Sequence, residues 1–192
     1  MNGRYREQKM KKGLIFGAAL LAALGFGTAQ AGEVDVTGRK VLVAYYSYSG
    51  NTKAVAEVIH AKVGGDLFEI KAEGTYPAEY RPMTEQAKRE ILSGFRPKLI
   101  TSVPDMEQYG VIFIGSPNWW GTITPQVSSF LESYDFAGKT IVPFITHGGG
   151  GRQRTIADMT NQCKGCTVVQ DGWQGYGKET DGLDDWLDRI SE

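Results

Sequence analysis

Apolar residues fall in two alternating patterns along this chain. Unbroken runs, Lys40 to Tyr46 (KVLVAYY) and Val111 to Gly115 (VIFIG), suit parallel strands covered on both faces. Between them, Val55, Ala56, Ile59 and Val63 recur at helical spacing over Thr52 to Val63, and Gly64-Gly65 stops that helix. The same reasoning predicts strands over Asp66 to Ile70, Thr140 to Thr146 and Thr167 to Gln170. Helices are predicted over Thr84 to Leu92, Pro125 to Tyr134, Thr155 to Gln162 and Gly182 to Ile190, with Pro125 suited to a first helical turn. Gly94 to Gln108 reads as a long irregular connection. Five strands alternating with five helices imply βαβ crossovers, hence an α/β fold with a parallel sheet and helices on both faces. Ligands of such sheets bind beyond the carboxyl ends of the strands. The loops that follow each strand therefore carry the candidate chemistry.

The first 31 residues stand apart from this pattern. Lys9, Lys11 and Lys12 precede an apolar run from Leu14 to Phe26, and Ala29-Gln30-Ala31 follows as a small-x-small cleavage site. This is the layout of a secretory signal peptide, and the run is short for a bilayer span. The expectation is an exported chain, periplasmic or secreted, whose domain occupies residues 32–192 and which keeps no membrane insertion after cleavage. The leader holds five of the 21 basic residues and one of the 22 acidic ones, leaving the remainder with a net charge of about −5. An acidic domain disfavours nucleic acid as a partner. It is compatible with docking onto basic redox proteins.

Strand one runs into Ser47-Tyr48-Ser49-Gly50-Asn51-Thr52, and a helix begins at once. A helix N-terminus exposes unpaired N–H groups and a partial positive charge. Gly50 lets the backbone curl around an anion, and Ser47, Ser49 and Thr52 add hydroxyl donors. A simple cap needs one such residue; a whole hydroxyl-rich loop suits a phosphate. The Gly-Lys-Ser/Thr ending of a P-loop is missing. The run VLVAYYSYSGNT resembles the flavodoxins, whose phosphate loop reads Thr/Ser-x-Thr/Ser-Gly-x-Thr. The resemblance extends from about Lys40 to Ile190. It implies a five-stranded sheet of order 2-1-3-4-5, with FMN as the cofactor and Ser47, Tyr48, Ser49, Gly50, Asn51 and Thr52 around its phosphate.

Strand three leads into Pro117-Asn118-Trp119-Trp120-Gly121-Thr122. Two adjacent indoles in a Pro/Gly loop cannot both enter a core, and a planar ligand would accommodate the second. The resemblance makes this loop a wall of the isoalloxazine ring, and the Pro-Asn-Trp-Trp-Gly run is characteristic of one flavodoxin-like subfamily. Strand four ends in His147-Gly148-Gly149-Gly150-Gly151. Electron-carrier flavodoxins usually bring a Tyr here to cover the second flavin face, so the glycines imply an open face of the kind that admits a nicotinamide or a quinone. His147 is the candidate proton or hydrogen-bond donor; capping of the strand end is its alternative role. Arg152 and Arg154 read as solvated surface charges, and His60 as solvated too.

Cys163-Lys164-Gly165-Cys166 is a C-x-x-C placed after a helix, at the end whose dipole does not activate a thiol. Export and position favour a local structural disulfide over free thiols or thiol catalysis. No His cluster accompanies the pair, so no metal site is expected. Trp173, after strand five, is expected to pack under the last helix. Tyr76-Pro77-Ala78-Glu79-Tyr80 resembles a segment at a comparable place in that subfamily, and the residues alone give it no physical role. Three functions follow: an FMN-dependent oxidoreductase or electron carrier, a flavodoxin scaffold that binds without redox activity, and a thiol–disulfide protein using Cys163 and Cys166.

Overall fold

The computed structural model describes residues 38–191; the expected signal peptide lies outside them. β1 (Lys40–Tyr45), β2 (Asp66–Glu69), β3 (Tyr109–Pro117), β4 (Thr140–His147) and β5 (Thr167–Val168) form a parallel sheet in the order β2-β1-β3-β4-β5. The pattern along each strand explains this sheet. In β1, Val41, Val43 and Tyr45 enter one apolar cluster while Leu42 and Ala44 enter the other. β3 and β4 divide in the same way, Val111 and Phe113 against Ile112 and Ile114, Val142 and Phe144 against Ile141 and Ile145. Strands buried on both faces carry no polar alternation.

α1 (Asn51–Val63) and α5 (Leu183–Ser191) cover one face through Val55, Ala56, Ile59, Leu183, Trp186, Leu187 and Ile190. α3 (Pro125–Ser133) and α4 (Thr155–Gln162) cover the other through Val127, Phe130, Leu131, Ile156 and Met159. α2 (Tyr80–Ser93) buries only Met83 and Ala87 and leans on α3. It begins four residues before the predicted helix, with Pro82 accommodated in its first turn, where no intrahelical N–H bond is lost.

The fifth strand departs from expectation. The predicted strand over Thr167 to Gln170 stops at Val168, and a further strand, β6 (Trp173–Tyr176), continues beside β4. Thr140 and Ile141 pair with Thr167 and Val168, whereas Phe144 to His147 pair with Trp173 to Tyr176, two residues out of step with the first stretch. The cause lies in β4. The carbonyls of Lys139, Ile141 and His147 accept from the N–H groups of Thr167, Val169 and Gly177. Alternate residues face opposite neighbours, so Pro143 faces this same edge and offers no N–H to it. Gly172 passes the gap so closely that a Cβ there would lie 2.8 Å from the Pro143 carbonyl oxygen and 2.8 Å from Ile156 Cδ1.

Trp173 is buried among the residues under α5, as expected. Cys163 and Cys166 form a disulfide with a Cα–Cα separation of 5.9 Å. His60 is not simply solvated, because its Nε2 lies 3.2 Å from the Gly65 carbonyl oxygen. Arg152 also differs from the surface charge expected, donating from its guanidinium to the Gly172 carbonyl at 2.9 Å.

Candidate functional site

The loops after β1, β3 and β4 meet at the carboxyl end of the sheet, as the topology requires. Gly50 initiates α1 in the left-handed region (φ 87°), and no side chain caps the helix. Its first turn contains no acidic residue, so its outward N–H groups and dipole are uncompensated. Ser47 Oγ is shut from solvent and has no hydrogen-bond partner among the described residues. A buried unpaired hydroxyl costs free energy unless a ligand or water meets it. Ser49 and Tyr48 are exposed, Asn51 is half-buried, and Thr52 is 1% exposed. The Thr52 hydroxyl lies 2.8 Å from that of Thr146, which ties the start of α1 to the end of β4.

The loop after β3 makes a tight turn. Trp119 and Thr122 exchange two backbone hydrogen bonds, 3.0 and 3.1 Å, around Trp120 and Gly121. Both central residues have positive φ, 53° and 84°, the geometry of a type I′ turn. Glycine meets this requirement freely, whereas a bulky residue there is uncommon and strained. The two indoles consequently diverge. Trp120 is 50% exposed, donates its Nε1–H to the Thr84 carbonyl at 2.9 Å and lies under the Lys88 ammonium. Trp119 turns inward and meets Tyr46, Tyr48 and Tyr76 edge-on, at centroid distances of 5.9, 5.9 and 5.0 Å.

Asn118 joins this loop to the next one. Its backbone N–H donates to the Thr146 carbonyl at 2.7 Å, its Oδ1 accepts from the Gly121 N–H at 2.9 Å, and its Nδ2 donates to the Gly151 carbonyl. Pro117 precedes it at the end of β3, and Thr122 beyond the turn donates to the Asp158 carboxylate. His147 ends β4, half-buried, with its ring edge-on to Tyr176 at 6.3 Å. Its Nδ1 accepts from the Gly149 N–H at 3.2 Å, which leaves Nε2–H as the ring's donor, without a partner among the described residues. Gly148 is exposed, its φ is ordinary, and a Cβ added to it would meet nothing within 4 Å.

The sequence-predicted site residues thus lie in three neighbouring loops or at the ends of the elements that border them, Asn51 and Thr52 in the first turn of α1, Pro117 at the end of β3 and His147 at the end of β4. Sequence reasoning missed four others. Tyr46 continues β1 and packs under Trp119; burial, then the negative charge of Glu90, pushes its phenol well above its ordinary range. Tyr76 and Pro77 follow β2, where the rule that pointed to the other loops also applies. Tyr48 donates its hydroxyl to the Pro77 carbonyl at 2.7 Å. Tyr176, 56% exposed, belongs to the unexpected β6. With Ser49, Gly50, Asn51, Gly177 and Lys178 it borders a depression of about 560 Å³ beside the first loop.

The chain spans 60% of the length of an NAD(P)H dehydrogenase (quinone) from Rhodopseudomonas palustris strain BisB18, to which it is 31% identical over 127 residues, 64% of its own length. A solved structure from Bacteroides eggerthii superposes with a TM-score of 0.67 and 30% identity, over 80% of this chain and 98% of that one. A flavoprotein in complex with FMN from Lactobacillus acidophilus superposes with a TM-score of 0.64 and 25% identity, over 78% and 99% of the two chains. A flavodoxin family model matches residues 40–190, nearly all of the described region. The sheet order, the hydroxyl loop after β1 and this match agree that the chain belongs to the flavodoxin family.

Proposed function

We propose that this protein is an exported flavoprotein that holds FMN non-covalently and works as an FMN-dependent NAD(P)H or quinone oxidoreductase. The observation that carries the reading is the buried, unpartnered Ser47 hydroxyl beside an uncapped helix N-terminus. Hydroxyl and amide donors without partners fit a phosphate monoester. The likeness to the FMN-bound flavoprotein supports the same cofactor. Bound FMN supplies the hydride and electron transfer; the chain supplies binding, orientation and access.

Ser47, Tyr48, Ser49, Gly50, Asn51 and Thr52 hold the phosphate in this reading. Pro117, Asn118, Trp119, Trp120, Gly121 and Thr122 form the wall of the flavin ring, and the run from Pro117 to Gly121 marks the subfamily. His147, Gly148 and Gly149 stand on the other side. Among the described residues no atom would lie within 4 Å of a Cβ on Gly148, which supports an open approach for a nicotinamide or a quinone. The Nε2–H of His147 is placed to donate to such a substrate. The name carried by the Rhodopseudomonas palustris relative supports this class of donor and acceptor.

The thiol–disulfide reading loses ground by position. Cys166 precedes β5 at the amino edge of the sheet, whereas the candidate loops stand at the carboxyl ends. Export is supported by the signal-peptide layout of residues 1–31 and by a disulfide, a feature of oxidising compartments. Anaerobic mixing of the FMN-loaded protein with NADH or NADPH, followed by a quinone, tests the activity. Bleaching of the flavin and its recovery on adding quinone are expected. A flavin that stays oxidised with both nicotinamides would replace the reductase with an electron carrier between proteins.

A further inference from the structure

Tyr76 contacts the candidate site without belonging to any of its three loops. It stands in the connection after β2, half-buried, and two helices fix its ring. The hydroxyl donates to Glu90 Oε2 on α2 and accepts from Gln126 Nε2 on α3 at 3.0 Å. Gln86 in turn donates to Glu90 Oε1 at 2.8 Å. Burial, then the hydrogen bond to Glu90, pushes the Tyr76 phenol far above its ordinary range, which keeps it a neutral donor. A phenylalanine would fill the same volume without desolvating a carboxylate and two amides. These three hydrogen bonds specify one orientation of the ring, and they do so although Gln126 Oε1 is itself buried without a partner among the described residues.

That orientation is spent on Trp119. Tyr76 meets the indole edge-on at 5.0 Å and 86°, nearer than Tyr46 or Tyr48 does. The next residue, Pro77, receives the Tyr48 hydroxyl and so holds the phosphate loop as well. One short segment therefore braces two of the three loops.

We propose that Tyr76 is a positioning residue for the flavin: through its contact with Trp119, and locked by Glu90 and Gln126, it sets the plane of the indole that walls the ring. The inference rests on the FMN reading above. It gives the Tyr76-Pro77 segment a role in cofactor placement.

A double-mutant cycle read by FMN affinity and by the visible circular dichroism of the bound flavin tests it. Tyr76→Leu is expected to weaken FMN about tenfold in the parent protein but less than about twofold in a Trp119→Leu background, the non-additivity of residues that act through one contact. Tyr76→Phe keeps the ring and loses the lock. It is expected to alter the flavin dichroism and weaken FMN by about threefold, because the ring loses both the bond to the Glu90 carboxylate and the bond from Gln126. Equal penalties in the two backgrounds, or Tyr76→Leu or Tyr76→Phe binding FMN with parental affinity and dichroism, would overturn the proposal and leave the FMN reading intact. A parent protein that does not take up FMN would overturn both, and is recognised before any variant is made.

Discussion

The pair of hydroxyls on Thr52 and Thr146, 2.8 Å apart and sealed from water, links the loop after β1 to the strand that carries His147. Thr52→Val keeps the shape and strands the Thr146 hydroxyl. The expected loss is about 1–3 kcal/mol of folding free energy, the desolvation cost of one unpaired buried group, together with weaker FMN binding. Denaturant unfolding and FMN titration of the variant check both; unchanged values for both would contradict the role given to Thr52. At this scale the sequence spoke clearly where the chemistry is local. Ser47 to Thr52 are contiguous and need no partner from elsewhere to suggest an anion. Tyr76 stayed silent because its meaning lies in Glu90 and Gln126, 14 and 50 residues away. The divergence of Trp119 and Trp120 was equally hidden, since it depends on a turn with two positive φ values.

The elements were largely legible, because strands covered on both faces and amphipathic helices have different periods. The exception is the split between β5 and β6. Asp171-Gly172 looks like the end of a strand, and its true cause, Pro143, stands on the neighbouring strand. Gly172→Ala forces a Cβ against the Pro143 carbonyl and Ile156. It should cost about 1–3 kcal/mol by overpacking, measured as a lower denaturation midpoint with an unchanged denaturant slope. The disulfide between α4 and β5 closes a very short loop, so the chain-entropy model gives it only about 1–2 kcal/mol. Replacing Cys163 and Cys166 together by Ser should therefore lower the thermal midpoint by a few degrees, roughly what such a loss gives in a domain of this size, and leave FMN affinity unchanged. Loss of flavin reduction in that variant would revive the thiol reading.

Across the whole molecule, three tyrosines at the carboxyl end of β1 and in the loop after β2 are held neutral. Burial, then Glu69, pushes Tyr45 up to about 12; burial, then Glu90, raises Tyr46 and Tyr76 as well. A phenol whose folded pKa lies above its unfolded one stabilises the fold fully below the unfolded value near 10 and loses that contribution as pH rises through the folded value. Stability should therefore fall between about pH 10 and pH 12, with the phenolate absorbance of these side chains appearing together with unfolding. Phenolate absorbance that develops fully in the intact fold near pH 10 would contradict their burial.

The same end of the sheet carries the account's central assertion, that partnerless donors after β1 await a phosphate. Flavin-fluorescence titration of the purified protein with FMN and, separately, with riboflavin isolates that group. FMN is expected to bind at about micromolar Kd or tighter, with riboflavin about tenfold weaker or more. Equal affinity for the two flavins, or no quenching by FMN, would contradict it.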